Sequence, residues 1–217
     1  WFNIRRKWIF DKVSKFISPP VKVLEIGCGT GNVSSYFVQK GYSVIGCEYY
    51  REAIDMAWPG FMKVQGDANY LPFSEGSFDI VGLFDVIEHF REDNEVLKEA
   101  VRVTRRNGII VITVPAREEL WSSVDDRSLH KRRYTKERLL KIFSELGLNI
   151  LLIQYMFMSL YIPMKYLRRK KKEENNQFRI KGIVNTMLKG IFNIERIASR
   201  GIPLPIGTSL IAVAKRI

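Results

Sequence analysis

Apolar positions along the chain switch repeatedly between the spacing of a buried strand and the spacing of a helix. The run 21–27 is β-branched and apolar, which is typical of a strand covered on both faces, and a helix pattern opens near Thr30. Strand and helix patterns keep alternating after it, as in a parallel sheet with helices on both faces. We therefore predict an α/β fold, a doubly wound sheet of about seven strands, mostly parallel with an antiparallel last strand. The predicted strands are 21–27, 42–48, 61–66, 78–84, 109–114, 150–155 and 208–214, and the later predicted helices are 53–57, 93–105 and 135–146.

The chain is predicted to form one domain in three parts. Its 217 residues are enough for a single α/β core that needs no disulfide. We expect an N-terminal amphipathic helix over 1–18, a ligand-binding core over 19–115 and a second half over 116–217. The second half begins with a long irregular segment, 116–134, and is expected to carry a helical insertion at about 158–205.

Three alternating glycines follow the first predicted strand. Gly27, Gly29 and Gly31 allow a sharp turn and a close approach of the backbone to a ligand, at the point where a helix begins. This predicts a nucleoside-type cofactor. A dinucleotide site has the spacing G-x-G-x-x-G, whereas here the third glycine comes one residue early and Asn32 occupies the expected glycine position. Glu25, just before the turn, suits a cationic amino group better than a pyrophosphate.

Acidic residues follow the next two predicted strands. Glu48 ends the second strand, where a carboxylate can accept hydrogen bonds from both ribose hydroxyls of a nucleoside. Such a carboxylate would bind the ribose of NAD equally well. Asp67 follows the third strand and can accept from an adenine amine, while Ala68 offers a backbone N–H to a ring nitrogen. The alternative for Asp67 is a plain turn residue.

Four motifs stand in one order over residues 21–115. They are E-x-G-x-G-x-G, then G-D-A-x-x-L-P-F with S-F-D, then F-D-V-I-E-H-F, then N-G-I-I-V-I-T-V-P. Together they resemble the class I S-adenosylmethionine-dependent methyltransferases of the small-molecule or lipid type. The resemblance implies a Rossmann-like sheet, S-adenosyl-L-methionine as cofactor and S-adenosyl-L-homocysteine as product. It implies these cofactor-binding residues: Glu25, Gly27, Cys28, Gly29, Gly31, Glu48, Tyr49, Asp67, Ala68, Phe84, Asp85 and His89.

The irregular segment carries a further pattern, W-x-x-x-D-x-x-x-x-H-x-R-R-Y-T, that resembles bacterial and archaeal members of the same family. An acceptor hydroxyl or amine needs a base for its proton, and His130, with Asp125 to orient it, is the candidate. A structural role is the alternative for both histidines, and His89 is expected to shape the cofactor site. The residues expected to bind the acceptor are Trp121, Arg132, Arg133 and Tyr134. Loop anchoring is the alternative for Arg132, Arg133 and Tyr134, with Tyr134 packed beneath the site.

The chain is strongly basic. It has 35 Lys and Arg against 23 Asp and Glu, a net charge of +12, concentrated at 127–138 and 165–172. Since the second cluster follows the apolar run 156–162, the segment 156–205 is predicted to form an acceptor lid that lies against an anionic membrane surface. Solvated faces are the alternative for the two basic clusters, and a dimer interface or an ordinary lid with a solvated tip is the alternative for the segment. The apolar stretch 146–164 is interpreted as a buried strand and a helix rather than as a membrane span.

The sequence therefore predicts a methyltransferase that acts on a small-molecule or lipid-linked acceptor. Cys28 and Cys47 are expected in the core, with no metal site and no disulfide, which fits a cytoplasmic protein, peripheral at the inner face of the membrane in the lipid case. Charge alone suggests an RNA methyltransferase, but no RNA-binding module is recognised and nucleic acid is not an expected partner. The other alternative is a non-catalytic adaptor that binds the cofactor. The acceptor, the methylated atom and the oligomeric state stay open.

Overall fold

A single sheet contains all seven strands of the computed structural model, which describes residues 1–170 and 182–217, with side chains for 1–166 and 185–217. Its order is β3-β2-β1-β4-β5-β7-β6, parallel from β3 to β5, with β7 antiparallel to both of its neighbours. The predicted fold class is confirmed. The strands are β1 Lys22–Ile26, β2 Ser43–Glu48, β3 Met62–Gln65, β4 Phe78–Phe84, β5 Thr104–Pro115, β6 Leu148–Met156 and β7 Ser209–Arg216.

Helices cover the two faces of the sheet. Because crossovers between parallel strands are right-handed, the helices after β1 and β2 lie on one face and the helix after β4 lies on the other. The first helix packs against the second and the last, and so covers the former face. The helices are α1 Phe2–Val13, α2 Asn32–Gln39, α3 Arg51–Asp55, α4 Asp93–Val103, α5 Ser123–Arg127, α6 Lys136–Glu145, α7 Tyr161–Lys170 and α8 Gly182–Ala198.

The core lies along the central strands. Every residue of β4 except Asp79 is buried, as expected for a strand with helices on both sides. Both cysteines are buried in this core and form no disulfide with each other. The order reverses between β1 and β4, where β1 continues to β2 in one direction and β4 to β5 in the other. A doubly wound sheet binds its ligand outside such a reversal.

Several predicted boundaries were wrong by a few residues. The helix after β1 begins at Asn32 rather than Thr30. Helix α4 ends at Val103, and Asn107-Gly108 lies inside β5 instead of ending the helix. There β5 bulges, since Phe78 pairs with Thr104 but Ile80 already pairs with Ile109.

The second half of the chain departs from a plain strand–helix repeat. The segment 116–134 contains the short helical turn Glu118–Leu120 and α5. After β6 come the turn Met158–Leu160 and then α7 and α8. Most of the basic run 165–172 lies outside the described side chains. Among the helices that the structure describes, none is both long enough and apolar enough to span a bilayer.

Candidate functional site

Two neighbouring cavities open at the carboxyl ends of the parallel strands. The first cavity, about 660 Å³, lies outside β1, β2, β3 and β4. The second cavity, about 350 Å³, lies between the end of β4, the end of β5 and the loop 116–134. Asp85 lines both. Eight sequence-predicted residues meet in the first cavity: Gly27, Gly29, Glu48, Tyr49, Asp67, Ala68, Asp85 and His89.

The turn after β1 is tied to the end of β2 by Glu48. One carboxylate oxygen of Glu48 accepts a hydrogen bond from the Gly29 N–H at 2.9 Å. The other accepts from the N–H groups of Tyr49 and Tyr50 at 2.8 and 3.1 Å. A carboxylate has about four lone-pair sites, so one remains to accept from a ligand hydroxyl. Glu48 therefore holds the turn and also faces the first cavity.

The third glycine has a packing role. Gly31 has φ +80° and caps the start of α2, and a Cβ at this position would lie 2.5 Å from the Phe61 ring. By contrast, a Cβ on Gly29 would meet no atom within 4 Å. Of these two glycines, only Gly29 therefore leaves its space open to the first cavity.

Three other predicted cofactor residues do not line the first cavity. The Cys28 side chain packs against Gly46, and burial raises the pKa of its thiol to about 12. The Phe84 ring covers Gly82. Glu25 is buried, its carboxylate accepts a hydrogen bond from the Ser34 hydroxyl, and burial raises its pKa to about 7.

Asp67 forms a turn at its predicted place. Its Oδ1 accepts from the backbone N–H and the side-chain amide of Asn69, at 2.8 and 2.9 Å. This is the turn geometry offered as the alternative, and it also fixes the carboxylate at the cavity wall. Turn formation and ligand binding are thus compatible at this residue.

Asp85 is held by the N-terminal helix. Its Oδ2 lies 2.7 Å from the Arg5 guanidinium, and its Oδ1 accepts from the Thr113 hydroxyl at 3.1 Å. Arg5, itself buried, also donates to that hydroxyl at 2.7 Å. Asp85 has φ +58°, outside the usual range for a residue with a side chain. Helix α1 therefore contributes directly to the wall between the cavities.

Two residues that line the second cavity, the acidic Glu88 and the basic Arg133, are almost fully buried. Glu88 is 0% exposed, and burial first, then the charge of Asp85, raises its pKa well above the usual range. Arg133 donates two hydrogen bonds to Asp125, at 2.9 and 3.0 Å, and one to the Ala116 carbonyl at 3.1 Å. The full lining is Trp1, Asp85, Glu88, Pro115, His130, Arg133, Leu160, Met164, Thr208 and Ser209.

The predicted pair of Asp125 and His130 is in contact. His130 Nδ1 lies 3.1 Å from Asp125 Oδ1, which leaves Nε2 to other partners. The ring of His89 lies edge-on to the His130 ring, with centroids 4.8 Å apart. Burial, then the nearby charge of His130, lowers the pKa of His89.

Three residues predicted to bind the acceptor lie elsewhere. Tyr134 is fully buried and donates to Asp93 at 2.8 Å, and Arg132 pairs with the same carboxylate at 3.0 Å. Trp121 donates its indole N–H to Asp126 at 2.9 Å. These contacts anchor the loop, which is the alternative stated for Arg132 and Tyr134. Within the predicted lid, Met156 and Phe157 are in the core.

Comparisons with known proteins agree with this geometry. A family model described as a methyltransferase domain matches residues 24–112. A norajmaline N-methyltransferase of Rauvolfia serpentina is 30% identical over 154 residues, 66% of this chain and 50% of that protein. A demethylmenaquinone methyltransferase of Beutenbergia cavernae is 32% identical over 97 residues, 43% of this chain and 40% of that protein. A crystal structure of a SAM-dependent methyltransferase from Archaeoglobus fulgidus matches with TM-score 0.68 and 20% identity, over 100% of this chain and 95% of that chain.

The chain carries a methyltransferase domain over residues 24–112 and is similar to S-adenosylmethionine-dependent methyltransferases. It spans about half the length of the first curated relatives that it matches, 50% and 52%. The cofactor of this family is S-adenosylmethionine. The first cavity of the methyltransferase fits its nucleoside, because the space in front of Gly29 is open and two carboxylates, Glu48 and Asp67, face it.

Sequence reasoning missed two groups of this methyltransferase site. Arg5 was placed in an amphipathic helix without a partner, and only the packing of α1 shows that it reaches Asp85. Glu88 precedes His89 in the F-D-V-I-E-H-F motif, and no role is predicted for it from the sequence. An acidic residue between apolar neighbours, just past a buried strand, was the available signal for Glu88.

Proposed function

We propose that this chain transfers the methyl group of S-adenosylmethionine to a small-molecule or lipid-linked acceptor. The observation that carries the proposal is the pair of adjoining cavities with Asp85 in their common wall. Bound in the first cavity, the cofactor supplies a methyl group on a positively charged sulfur. An acceptor in the second cavity then approaches from the far side of Asp85. Holding the two reactants in line accounts for most of such catalysis, roughly 7–11 kcal/mol when orientation is complete.

In this proposal Glu48 and Asp67 select the nucleoside. Glu48 accepts from one ribose hydroxyl and Asp67 from the adenine amine, while the open space at Gly29 lets the backbone approach. Glu25 stands behind the turn as a buried carboxyl. A cationic amino group brought close to it would favour its charged form, and this opposes the effect of burial.

His130 is the proposed proton acceptor at the acceptor end. Its Nδ1 is engaged by Asp125, which fixes the ring and leaves Nε2 directed to the other side. Since His130 lines the second cavity, an acceptor hydroxyl or amine bound there lies within its reach. Asp125 is thus a positioning residue and does not itself contact the acceptor.

The lining of the second cavity supports an acceptor with an apolar part. The apolar residues Trp1, Leu160 and Met164 line this cavity together with the polar His130 and Arg133. Two relatives carry acceptor names of this kind, norajmaline and demethylmenaquinone, and each name describes that relative alone. We propose an apolar molecule with one polar, methylatable group.

Titration calorimetry with S-adenosylmethionine and S-adenosylhomocysteine tests the cofactor site. We expect binding by the wild-type chain and a loss of at least tenfold in affinity for Asp67→Asn and for Glu48→Gln. Glu52→Gln is the matched control, because Glu52 is an exposed carboxylate on α3 outside the cavity. Unchanged binding by both cavity variants would show that the first cavity is not the cofactor site.

Transfer of radiolabelled methyl from the cofactor tests the acceptor class. The chain is incubated in parallel with a lipid extract, with water-soluble metabolites and with RNA. Label in the solvent-extractable fraction supports the proposal, and label in RNA supports the RNA alternative. Cofactor binding without label in any fraction would favour the non-catalytic adaptor.

We further propose that the chain works at an anionic membrane surface on the cytoplasmic side. Four apolar side chains on one stripe of α8 are 40–68% exposed, while Phe192 and Glu195 on the neighbouring stripe are buried. With a net charge of +12, the chain is attracted to such a surface. The exposed residues are Met187, Ile191, Ile194 and Ile197.

Flotation with two separate vesicle preparations, one anionic and one zwitterionic, tests this attachment. We expect the chain to float with the anionic vesicles at low salt and Ile194→Glu to float much less. Leu140→Glu is the matched control, since Leu140 is an exposed apolar residue on α6. Equal flotation of the two variants, or none of the wild type, would contradict the proposal.

A further inference from the structure

Glu88 is a buried carboxyl group whose partner is missing from the described part of the chain. It is 0% exposed, and neither of its side-chain oxygens has a hydrogen-bond partner among the residues that the structure describes. A buried polar group without a partner costs free energy, so such groups are rare in folded proteins. The side chain lines the second cavity, and a ligand there would supply the missing partner.

Two imidazoles stand beside this carboxyl group. One ligand atom each from Glu88, His89 and His130 can be chosen so that all three lie within 4.8 Å of one another. A metal ion with ligand bonds of about 2.0–2.2 Å holds neighbouring ligands roughly 3.4 Å apart in a tetrahedral site. Shortening these separations by up to about 1.4 Å would therefore bring the three side chains to that geometry.

One of the two imidazoles is already oriented for ligation. His130 uses Nδ1 toward Asp125, which leaves its Nε2 for another partner. The His89 ring lies edge-on beside it, with ring centroids 4.8 Å apart. Histidines that bind metals almost always engage their other nitrogen in this way, with a carboxylate or a backbone carbonyl.

Neither nearby guanidinium is a partner of Glu88. The Arg133 guanidinium is bound to Asp125 by two hydrogen bonds, and Arg5 is paired with Asp85. Both are thus engaged by other carboxylates, and neither Glu88 oxygen has a hydrogen-bond partner among the described residues. A divalent ion would provide that partner.

We propose that Glu88, His89 and His130 form a binding site for a divalent transition-metal ion such as Zn²⁺. Two imidazole nitrogens and one carboxylate are a common three-ligand set for zinc and for iron(II), and such a set leaves further coordination positions open. His89 lines the first cavity, while Glu88 and His130 line the second. The ion would thus lie at the junction where the two reactants are proposed to meet.

The proposal that an ion binds depends only on these three side chains. The effect of the ion on the acceptor, by contrast, rests on the proposed function. An acceptor oxygen on an open position would lose its proton more readily, because a bound divalent ion lowers the pKa of its oxygen ligand. His130 would then serve as a ligand, and its role as proton acceptor would apply to the metal-free chain only.

Calorimetric titration of the chelator-treated full-length chain with Zn²⁺ tests the site. We expect one equivalent to bind, with an affinity at least tenfold weaker in Glu88→Gln and in His130→Gln. Glu92→Gln is the matched control, since Glu92 is an exposed carboxylate four residues from Glu88. Wild-type affinity in Glu88→Gln, or no stoichiometric binding by the wild type, would overturn the proposal.

Imidazole NMR gives a readout that needs no variant, because the chain contains only two histidines. We expect one equivalent of Zn²⁺ to shift the ring signals of both, and signals that stay in place would overturn the site. The methyl-transfer assay on the same samples separates the two proposals. Zinc binding without transfer to any acceptor contradicts the proposed function alone. Undiminished transfer after chelation, with no zinc binding, contradicts the metal site alone.

Discussion

Three buried carboxyl groups near the cavities differ in how their charge is compensated. Asp125 is bound by the Arg133 guanidinium through two hydrogen bonds. Glu25 has the hydroxyl of Ser34 as its hydrogen-bond partner, and Glu88 has none among the described residues. Removal of a charge from water is costly, so a carboxyl with a weak partner keeps its proton to a higher pH.

The Glu25 carboxyl is expected to make the stability of the fold depend on pH. Burial raises its pKa from 4.5 to about 7, so between these pH values the folded chain holds a proton that the unfolded chain has released. The free energy of unfolding therefore falls as the pH rises through this window, by roughly 3 kcal/mol once the pH exceeds 7. Glu25→Gln removes this loss, because its amide carbonyl can still accept from Ser34 and does not ionise.

Urea unfolding at pH 4.5 and pH 8 measures the effect. We expect Glu25→Gln and the wild type to be similar at the lower pH, and the variant to be more stable at the higher pH. Glu52→Gln, at an exposed position, should follow the wild type at both. A variant that loses as much stability as the wild type between the two pH values would refute this account.

Residue-level prediction from the sequence worked where a residue's place follows from its strand. Glu48 and Asp67 stand at strand ends, and the carboxyl ends of parallel strands meet, so their meeting in one cavity follows from the pattern. Arg132 and Tyr134 have side chains suited to an anionic ligand, yet both bind Asp93 of α4. A contact 39 residues or more apart in the chain leaves no mark in the local pattern. The same holds for Arg5 and Asp85.

At the scale of elements, the start of α2 depends on Gly31. An alanine there would have φ +80° and would place its Cβ 2.5 Å from the Phe61 ring. Gly147, at the end of α6, has φ +65°, and a Cβ there would meet nothing within 4 Å. An alanine at either position would thus have a strained left-handed backbone, but only the alanine at position 31 would also clash with the Phe61 ring.

Gly31→Ala is expected to destabilise the fold by more than Gly147→Ala. The left-handed backbone costs each alanine about 1–2 kcal/mol. The clash with Phe61 adds about 1–3 kcal/mol at Gly31 alone, as overpacking of a core usually does. Thermal or urea unfolding of the two variants measures the difference. Equal losses would mean that Phe61 moves aside at little cost.

Element types were predictable and element ends were less so. The helix over 93–105 has an apolar stripe that identifies it, and Asn107-Gly108 is a strong stop signal. The chain nevertheless leaves the helix at Val103 and bulges within β5, because Thr104 already pairs with Phe78 of β4. Tertiary pairing therefore fixed the boundary before the local signal was reached.

At the scale of the whole molecule, α1 connects the start of the chain to the wall between the cavities. Arg5 reaches Asp85, which directly follows β4, and Thr113 of β5, and both lie at least 80 residues away in the chain. Because Arg5 is buried, its loss leaves Asp85 without a cation and loosens the helix from the sheet.

Arg5→Gln is expected to lower the melting temperature and to speed amide hydrogen exchange in α1. Removing one member of a buried ion pair typically costs about 3–5 kcal/mol, and the half-exposed Asp85 places this pair toward the lower end. Lys7→Gln is the control on the same helix, since Lys7 is exposed. Exchange in α1 that is equally fast in the two variants would show that Arg5 does not hold the helix.

The predicted class of sheet is correct, but the sequence did not predict the order of the strands at the β5-β7-β6 edge. Periodicity identified 150–155 and 208–214 as strands, and the predicted fold class has the last one antiparallel. That β7 lies between β5 and β6 follows from neither pattern, because alternation of apolar residues does not choose a partner. The second cavity depends on this order, since Pro115, Thr208 and Ser209 line it from adjoining strand ends.

The place of β7 also affects the order in which the sheet assembles during synthesis. Strands β1 to β5 can pair as soon as they leave the ribosome, but β6 is joined to the sheet through β7, which follows it in the chain. Until residues 209–216 emerge, β5 has an open edge and β6 has no partner among the described strands. Open edges are sites of aggregation, so the nascent chain is most vulnerable between the synthesis of β5 and the pairing of β7. The proposed acceptor site, built on that edge, consequently forms only after β7 has paired.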